Sequence, residues 1–575
     1  MMNISKFENL PNELIIECLE YLYIFDTFHS FNGLNDRLDK LIRTVPLHLN
    51  FILVNKKRLE HFCQHTLLYP EIREQIYSLH LSNENRCDQI ETFLAHISLN
   101  TLNNLHTLIL THIEKENLIQ LKSMLSLSIN LFYFKLISSQ IDEDELIAVL
   151  PLSKLEKLSI LSLRSFLLYI QQPTKIKYLT LFNCSLEQII CKLFPYVPFL
   201  KYLNISYVSK YNRSIKDIDI INKYKCINLQ TLIIGEFKHN FEDFVILVQH
   251  IPNLKNLTIS TNYNKTMINA LNWEHLIESS LLYLNIFKFK FSFKKIYNNE
   301  TYFEQMMFFQ RKFWIEQHHW HTQLISNQYS VCIYTIPYLS NTFKLESDTI
   351  IHYNTISTMS NLFDNVTHLT LTDQYINEKY QFYFPNIISL TLINSNDVLN
   401  NFSEHIDFIQ YLKMIINLSN LKHLDISKYK KIILSGNLLA IMKETPMLNS
   451  LKINSIDLML LYNNEELCEY LIMMIKKLNI HKYNRCSFKT FEELMIFHTV
   501  FQHITSLQCN INSSEQFSFI LERFPSLSTL CIYMSSSCYN FYAYNYLEQL
   551  SSEWRIKYRT KQAYKNVNEI SIWIN

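Results

Sequence analysis

Three histidines surround one tryptophan in His318-His319-Trp320-His321, the densest histidine cluster of the chain. Imidazoles are common zinc ligands, yet adjacent histidines point in different directions on a helix or strand, and no further ligands follow at a defined spacing. The expectation is therefore no metal. Lys288, Lys290, Lys294 and Lys295 interleave with Phe287, Phe289, Phe291 and Phe293. That alternation could stack nucleic-acid bases, but in a neutral chain it reads better as an edge strand with a solvated lysine face guarding against aggregation. The 12 cysteines (Cys18, Cys63, Cys87, Cys184, Cys191, Cys226, Cys332, Cys468, Cys486, Cys509, Cys531 and Cys538) include no C-x-x-C pair and lie mostly in apolar segments, as reduced buried thiols do. Only Gly33, Gly235 and Gly436 occur, so the closely spaced glycines of a phosphate cradle are missing and Rossmann and P-loop chemistry is excluded. With no G-x-S-x-G or H-E-x-x-H either, the expectation is a protein that is not an enzyme, without catalytic residues, metal or cofactor.

The elements that could position a binding surface then become the question. At 575 residues and 48% apolar, the chain can bury large cores. Its 53 basic and 52 acidic residues leave a net charge of +1, so neither nucleic acid nor a membrane surface is the expected partner. The opening MMNISKFENLPNELII carries early acids and lacks a secretory pattern, and no uncharged apolar run reaches bilayer length. A cytoplasmic or nuclear location is expected.

Leu10 to Leu22 reads as a helix started by Asn9 or Pro11, with Leu14, Ile15, Cys18, Leu19 and Leu22 on one apolar face. A second helix-like run after Asp26 places Phe28, Phe31, Leu34, Leu38 and Leu41 at the same spacing. So short a unit cannot hide all this apolar area, and part of it awaits a partner.

Residues 5–50 resemble the F-box. The resemblance is carried by Leu10, Pro11, Glu13, Leu14, Ile15, Tyr21 and Leu22, then Leu34, Asn35 and Arg37; the stretch from Tyr23 is more aromatic than the family pattern. It implies docking on a Skp-type adaptor, linked to a cullin scaffold, through Leu10, Pro11, Glu13, Leu14, Ile15, Leu19, Phe28, Phe31 and Leu34.

Beyond residue 70 the pattern apolar-x-x-Leu-x-Leu/Ile recurs. Its central residues Leu79, Leu108, Phe134, Leu158, Leu179, Leu203, Leu232, Leu257 and Leu284 lie 29, 26, 24, 21, 24, 29, 25 and 27 residues apart. It returns at Leu369, Leu390, Leu424, Leu451, Leu507 and Leu530. Strand-like alternation followed by helical spacing, as in Leu186–Phe194 and Phe241–Val248, predicts one strand and one helix per repeat. Helices are expected to stop before Pro195, Pro252, Pro446 and Pro525, because proline disfavours helical geometry in the preceding residue. The array resembles irregular intracellular leucine-rich repeats, with an incomplete turn ladder at Cys184, Asn262, Asn512 and Asn575.

The expected fold is an α/β solenoid: an all-helical F-box (5–50), a linker helix (51–70), a first curved repeat arm (71–290), an aromatic helical insertion (291–362) and a second arm (363–575). Parallel strands would line the concave face, with helices outside. The residue between the two inward apolar positions would face a protein substrate, giving Ser159, Thr180, Asn204, Thr258, Asn285, Thr370, Thr391 and Asp425. This mostly uncharged stripe predicts binding by shape and hydrogen bonds, with weak salt dependence. The expected function is substrate recognition in an SCF-type cullin ubiquitin ligase; the alternative is an F-box scaffold without ubiquitin transfer. The substrate itself is not readable from these residues.

Overall fold

The computed structural model describes residues 7–22, 24–52, 54–84, 88–126, 130–138, 144–209, 224–262, 264–295, 307–346, 348–352, 362–372, 382–394, 408–429, 436–481, 486–535, 548, 557–564 and 567–574. Cys87, Cys538, Asn575 and parts of the aromatic segment lie outside them. The chain divides into two compact units, Met1–Ile233 with Leu247–Asn253 and Asn575, and Ile234–Ile246 with Leu254–Ile574.

The first unit opens with three helices, α1 (Asn12–Glu20), α2 (Ile24–Phe31) and α3 (Asp36–Ile42). The run read as a single second helix is therefore two helices. Gly33 breaks it at φ +82°, a left-handed conformation that glycine adopts without penalty. Asn35 then caps α3 by accepting from Leu38 N at 2.9 Å.

Seven strands follow: β1 (Leu47–Asn50), β2 (Ile76–Ser82), β3 (Thr107–Thr111), β4 (Tyr133–Ile137), β5 (Lys157–Ser162), β6 (Tyr178–Ser185) and β7 (Tyr202–Ser209). Each pairs in parallel with the next. Parallel neighbours need a crossover connection, supplied by intervening helices and turns such as Gln89–His96 and Lys115–Leu125. Leu79, Leu108, Phe134, Leu158, Leu179 and Leu203 meet in register, all fully buried. Burying each such side chain stabilises the fold by about 1.5–3 kcal/mol. The strand pattern thus begins one strand earlier than expected. β1 lies inside the 5–50 segment read as all-helical, and the 51–70 segment carries the helix Lys56–His61 and the turn Phe62–Thr66.

Strand β8 (Thr231–Phe237) contains the division point. The second unit continues with β9 (Asn256–Asn262), β10 (Ile286–Lys294), β11 (Thr322–Ser326), β12 (Ser330–Thr335), β13 (Thr342–Leu345) and β14 (Ile350–His352). β10 lies between β9, in parallel, and β12, antiparallel. It is therefore not the edge strand expected from its lysines, although Phe287, Phe289, Phe291 and Phe293 are all buried as the alternation predicts. Among the described residues the aromatic segment carries the helical turn Phe313–Gln317, with Trp314 at 6.1 and 6.2 Å from Phe287 and Phe289, and an antiparallel ribbon of β12, β11 and β14. Alternating Val331, Ile333 and Thr335 favour that outcome, because β-branched side chains pack well on a pleat.

A second, mostly parallel sheet runs β13, β15 (His368–Thr372), β16 (Ser389–Ile393), β17 (His423–Lys428), β18 (Ser450–Lys452), β19 (Lys477–Asn479), β20 (Ser506–Asn510) and β21 (Thr529–Ser535). β22 (Lys557–Tyr564) and β23 (Val567–Trp573) finish it in antiparallel fashion, in the order β21, β23, β22. Phe343, Leu369, Leu390, Leu424, Leu451, Leu478, Leu507 and Leu530 share one register row and one core. The architecture is thus an α/β fold of large, mostly parallel sheets with helices, and no closed barrel occurs among the described residues. The helices Phe241–Gln249, Asn437–Glu444 and Ser514–Arg523 end just before their prolines, whereas Pro195 sits inside the turn Phe194–Tyr196.

A ladder of asparagine side chains joins successive turns. Asn104 Nδ2 donates to Glu74 O at 2.7 Å, Asn130 to Asn103 O at 2.8 Å, and Asn228 to Pro198 O at 2.7 Å. Asn365 donates to Tyr338 O and Asn386 to Asp364 O, each at 2.9 Å. These residues stand immediately before the first apolar position of the repeat and satisfy a carbonyl one repeat earlier.

Candidate docking surfaces

Arg37 holds the head together. Its guanidinium donates to Asn12 Oδ1 from Nε at 2.9 Å and Nη2 at 2.7 Å, and to Leu10 O at 2.6 Å. The start of α1 is thereby clasped to the start of α3. Around the clasp, Pro11 and Glu13 are exposed, Leu14 is 46% exposed and Leu34 60% exposed, while Leu10 and Phe31 are half-buried. Tyr21 and Leu22 extend the exposed apolar area at the far end of α1.

Three residues expected on this surface are instead interior. Ile15, Leu19 and Phe28 are buried, because the inward stripe of an amphipathic helix must cover its own core before it can serve a partner. Phe28 meets Phe62 edge-on at 6.0 Å, and Phe25 reaches Phe51 and Phe62 at 5.5 and 4.8 Å, packing α2 against the strand-bearing body. The structure thus leaves Pro11, Glu13, Leu14 and Leu34 exposed and Leu10 and Phe31 half-buried, and buries Ile15, Leu19 and Phe28.

On the strand face, Ser159, Thr180 and Asn204 align across β5, β6 and β7, and Thr370, Thr391 and Asp425 align across β15, β16 and β17. Two expectations need correction. Ser159 is buried, its short side chain lying in register between Lys135 and Thr180. Asn285 precedes its strand: Thr258 of β9 pairs with Lys288, so Lys288 takes the place assigned to Asn285. Leu281, Leu284 and Ile286 matched the repeat motif, but the four buried phenylalanines drew the strand into a register three residues later.

The first aligned row begins with His80, Ile109 and Lys135 ahead of Ser159; Ile109 is expected on this face from the repeat pattern, whereas His80, Lys135 and, ahead of Thr370, Lys344 are not. Burial, and then the neighbouring Lys135, holds the His80 pKa below its ordinary value. Asp425 and Lys452 form an ion pair at 2.9 Å. At the strand entrances, Tyr77, His106 and Phe132 stack at 4.2 and 5.1 Å, an aromatic ledge that becomes visible only when strands 26 to 29 residues apart are aligned.

Several residues of catalytic type make structural contacts. Ser326 Oγ and His352 Nε2 lie 2.7 Å apart, but Ser326 is 8% exposed within a strand paired on both sides, so the contact ties β11 to β14. His318 stacks on Trp320 at 4.2 Å and 13°, and burial lowers its pKa. Burial pushes the thiols of Cys63, Cys184 and Cys226 up to about 12. Such thiols are inert fillers rather than nucleophiles. No known protein-family model matches the chain, and no curated protein matches it.

Proposed function

We propose that this protein is the substrate-recognition subunit of an SCF-type cullin ubiquitin ligase, whose helical head grips a Skp-type adaptor and whose strand-lined body grips a protein substrate. In this reading the body is a leucine-rich-repeat-like solenoid working in the cytoplasm or nucleus. The observation that carries it is the exposure of Pro11, Glu13, Leu14 and Leu34 around the Arg37 clasp. Large apolar side chains left in water beside a charged rim favour a partner surface.

The test is co-purification of the full chain with a Skp-type adaptor and cullin, compared with a Leu14→Asp variant. Adaptor and cullin should accompany the wild-type chain and both should be lost from the variant. Recovery of the adaptor without cullin or ubiquitin transfer would favour a scaffold role, and recovery of neither would reject the reading.

A further inference from the structure

None of the strands β1 to β7 contains an aspartate or glutamate, although the whole chain is nearly neutral. Register then concentrates hydroxyl and ammonium groups on one face. Tyr133, Lys157, Tyr178 and Tyr202 are direct neighbours across β4, β5, β6 and β7. Two positions along, Lys135, Ser159, Thr180 and Asn204 form the next row on the same face. Lys157 and Tyr178 are exposed, and Tyr133, Tyr202, Lys135, Thr180 and Asn204 are half-buried. The Lys157 ammonium lies 4.2 Å from the centre of the Tyr133 ring, which holds the charge over the row. The carboxylate just outside it, Glu156, is engaged by Lys177 at 2.7 Å.

We propose that this face of β4 to β7 binds an acidic, extended segment of a protein partner, laid across the strands. The inference rests on the recognition reading above and names the chemistry of its substrate. Two lysines supply charge complementarity with no carboxylate on the strands to oppose an anionic chain. The tyrosines supply rigid contact area with polar tips, the side-chain type favoured at protein interfaces. Four strands spaced about 4.8 Å apart span about 14 Å, which an extended peptide covers in roughly five residues. The two lysines, one in each row, also revise the expectation of weak salt dependence: binding here weakens as ions screen it.

The experiment uses the full chain and a fluorescein-labelled peptide of roughly eight alternating glutamates and serines, with a lysine–serine peptide and a uridine oligonucleotide as comparators. Fluorescence anisotropy should show binding of the acidic peptide alone, weakening about tenfold between roughly 50 and 300 mM salt. Lys135→Glu with Lys157→Glu should abolish it. Tyr178→Ser with Tyr202→Ser, which adds no charge, should weaken it about tenfold at an unchanged melting temperature. Absence of acidic-peptide binding, binding indifferent to both variants, or binding of the oligonucleotide instead would overturn the proposal. Adaptor co-purification, measured separately, distinguishes the two readings: an adaptor-binding chain that ignores the acidic peptide refutes this site alone, and the converse refutes the ligase role alone.

Discussion

Arg37 meets Asn12 through two hydrogen bonds to a single oxygen, Nε at 2.9 Å and Nη2 at 2.7 Å, across 25 residues of chain. The pair fixes where α1 begins relative to α3, and so fixes the spacing of the exposed Leu14 and Leu34. Arg37→Ala should leave the strand body intact, because the clasp to Asn12 and Leu10 joins α1 to α3. Hydrogen exchange should show the amides of α1 exchanging faster and those of β2 to β7 unchanged; protection of α1 at the wild-type level would remove Arg37 from this role.

Trp273 is fully buried and donates from Nε1 to Met267 O at 2.8 Å, with Phe287 and Phe291 packed on its ring at 4.8 and 5.7 Å. Trp273→Ala removes a large side chain that its rigid neighbours cannot replace, and leaves a carbonyl without its donor. A loss of about 3–5 kcal/mol is expected in urea unfolding. A loss below about 1 kcal/mol would mean that the aromatic packing is far looser than described.

The asparagine ladder predicts a smaller effect of a different kind. In Asn365→Ala the Tyr338 carbonyl loses a donor 2.9 Å away, which should lower stability by about 1 kcal/mol without altering the denaturant slope. An unchanged midpoint would show that water replaces the side chain at no cost.

The thiols offer a pH-dependent test. With pKa values pushed up by burial to about 12, Cys63, Cys184 and Cys226 carry only about one thiolate in ten thousand at pH 8. In the unfolded chain, near an ordinary value of 8.5, about a quarter would be ionised. Brief alkylation of the native protein at pH 8, read by mass spectrometry, should therefore modify exposed Cys18 and spare these three until urea is added. Equal labelling of Cys18 and Cys184 in the native state would contradict the packing of β6.

Much of this fold was legible because burial imposes a short period on the sequence. Leu79, Leu108, Phe134, Leu158, Leu179 and Leu203 stand out as strand centres from spacing alone, and each pairs in register with the next. Leu478 carries the same motif in Ile475-Lys-Lys-Leu478-Asn-Ile480, and it fills the gap between Leu451 and Leu507. β1 stayed hidden because four residues are too few for alternation to stand out beside helices. Local pattern also could not choose between two overlapping registers at β10, where the buried phenylalanines decided the outcome. In the head, helical spacing identified an apolar stripe but not its division: the same periodicity produced buried Ile15 and exposed Leu14, adjacent in sequence and opposite in role.

That difference between neighbours gives the most direct test of the account. The full chain and its Leu14→Asp and Ile15→Asp variants should be mixed with a purified Skp-type adaptor and compared by size-exclusion chromatography, with melting curves alongside. Wild type should co-elute with the adaptor; Leu14→Asp should melt as wild type does and elute alone, whereas Ile15→Asp should lose stability because its charge is buried. Failure of the wild-type chain to co-elute, or full co-elution of Leu14→Asp, would contradict the claim that the head is an adaptor-docking surface.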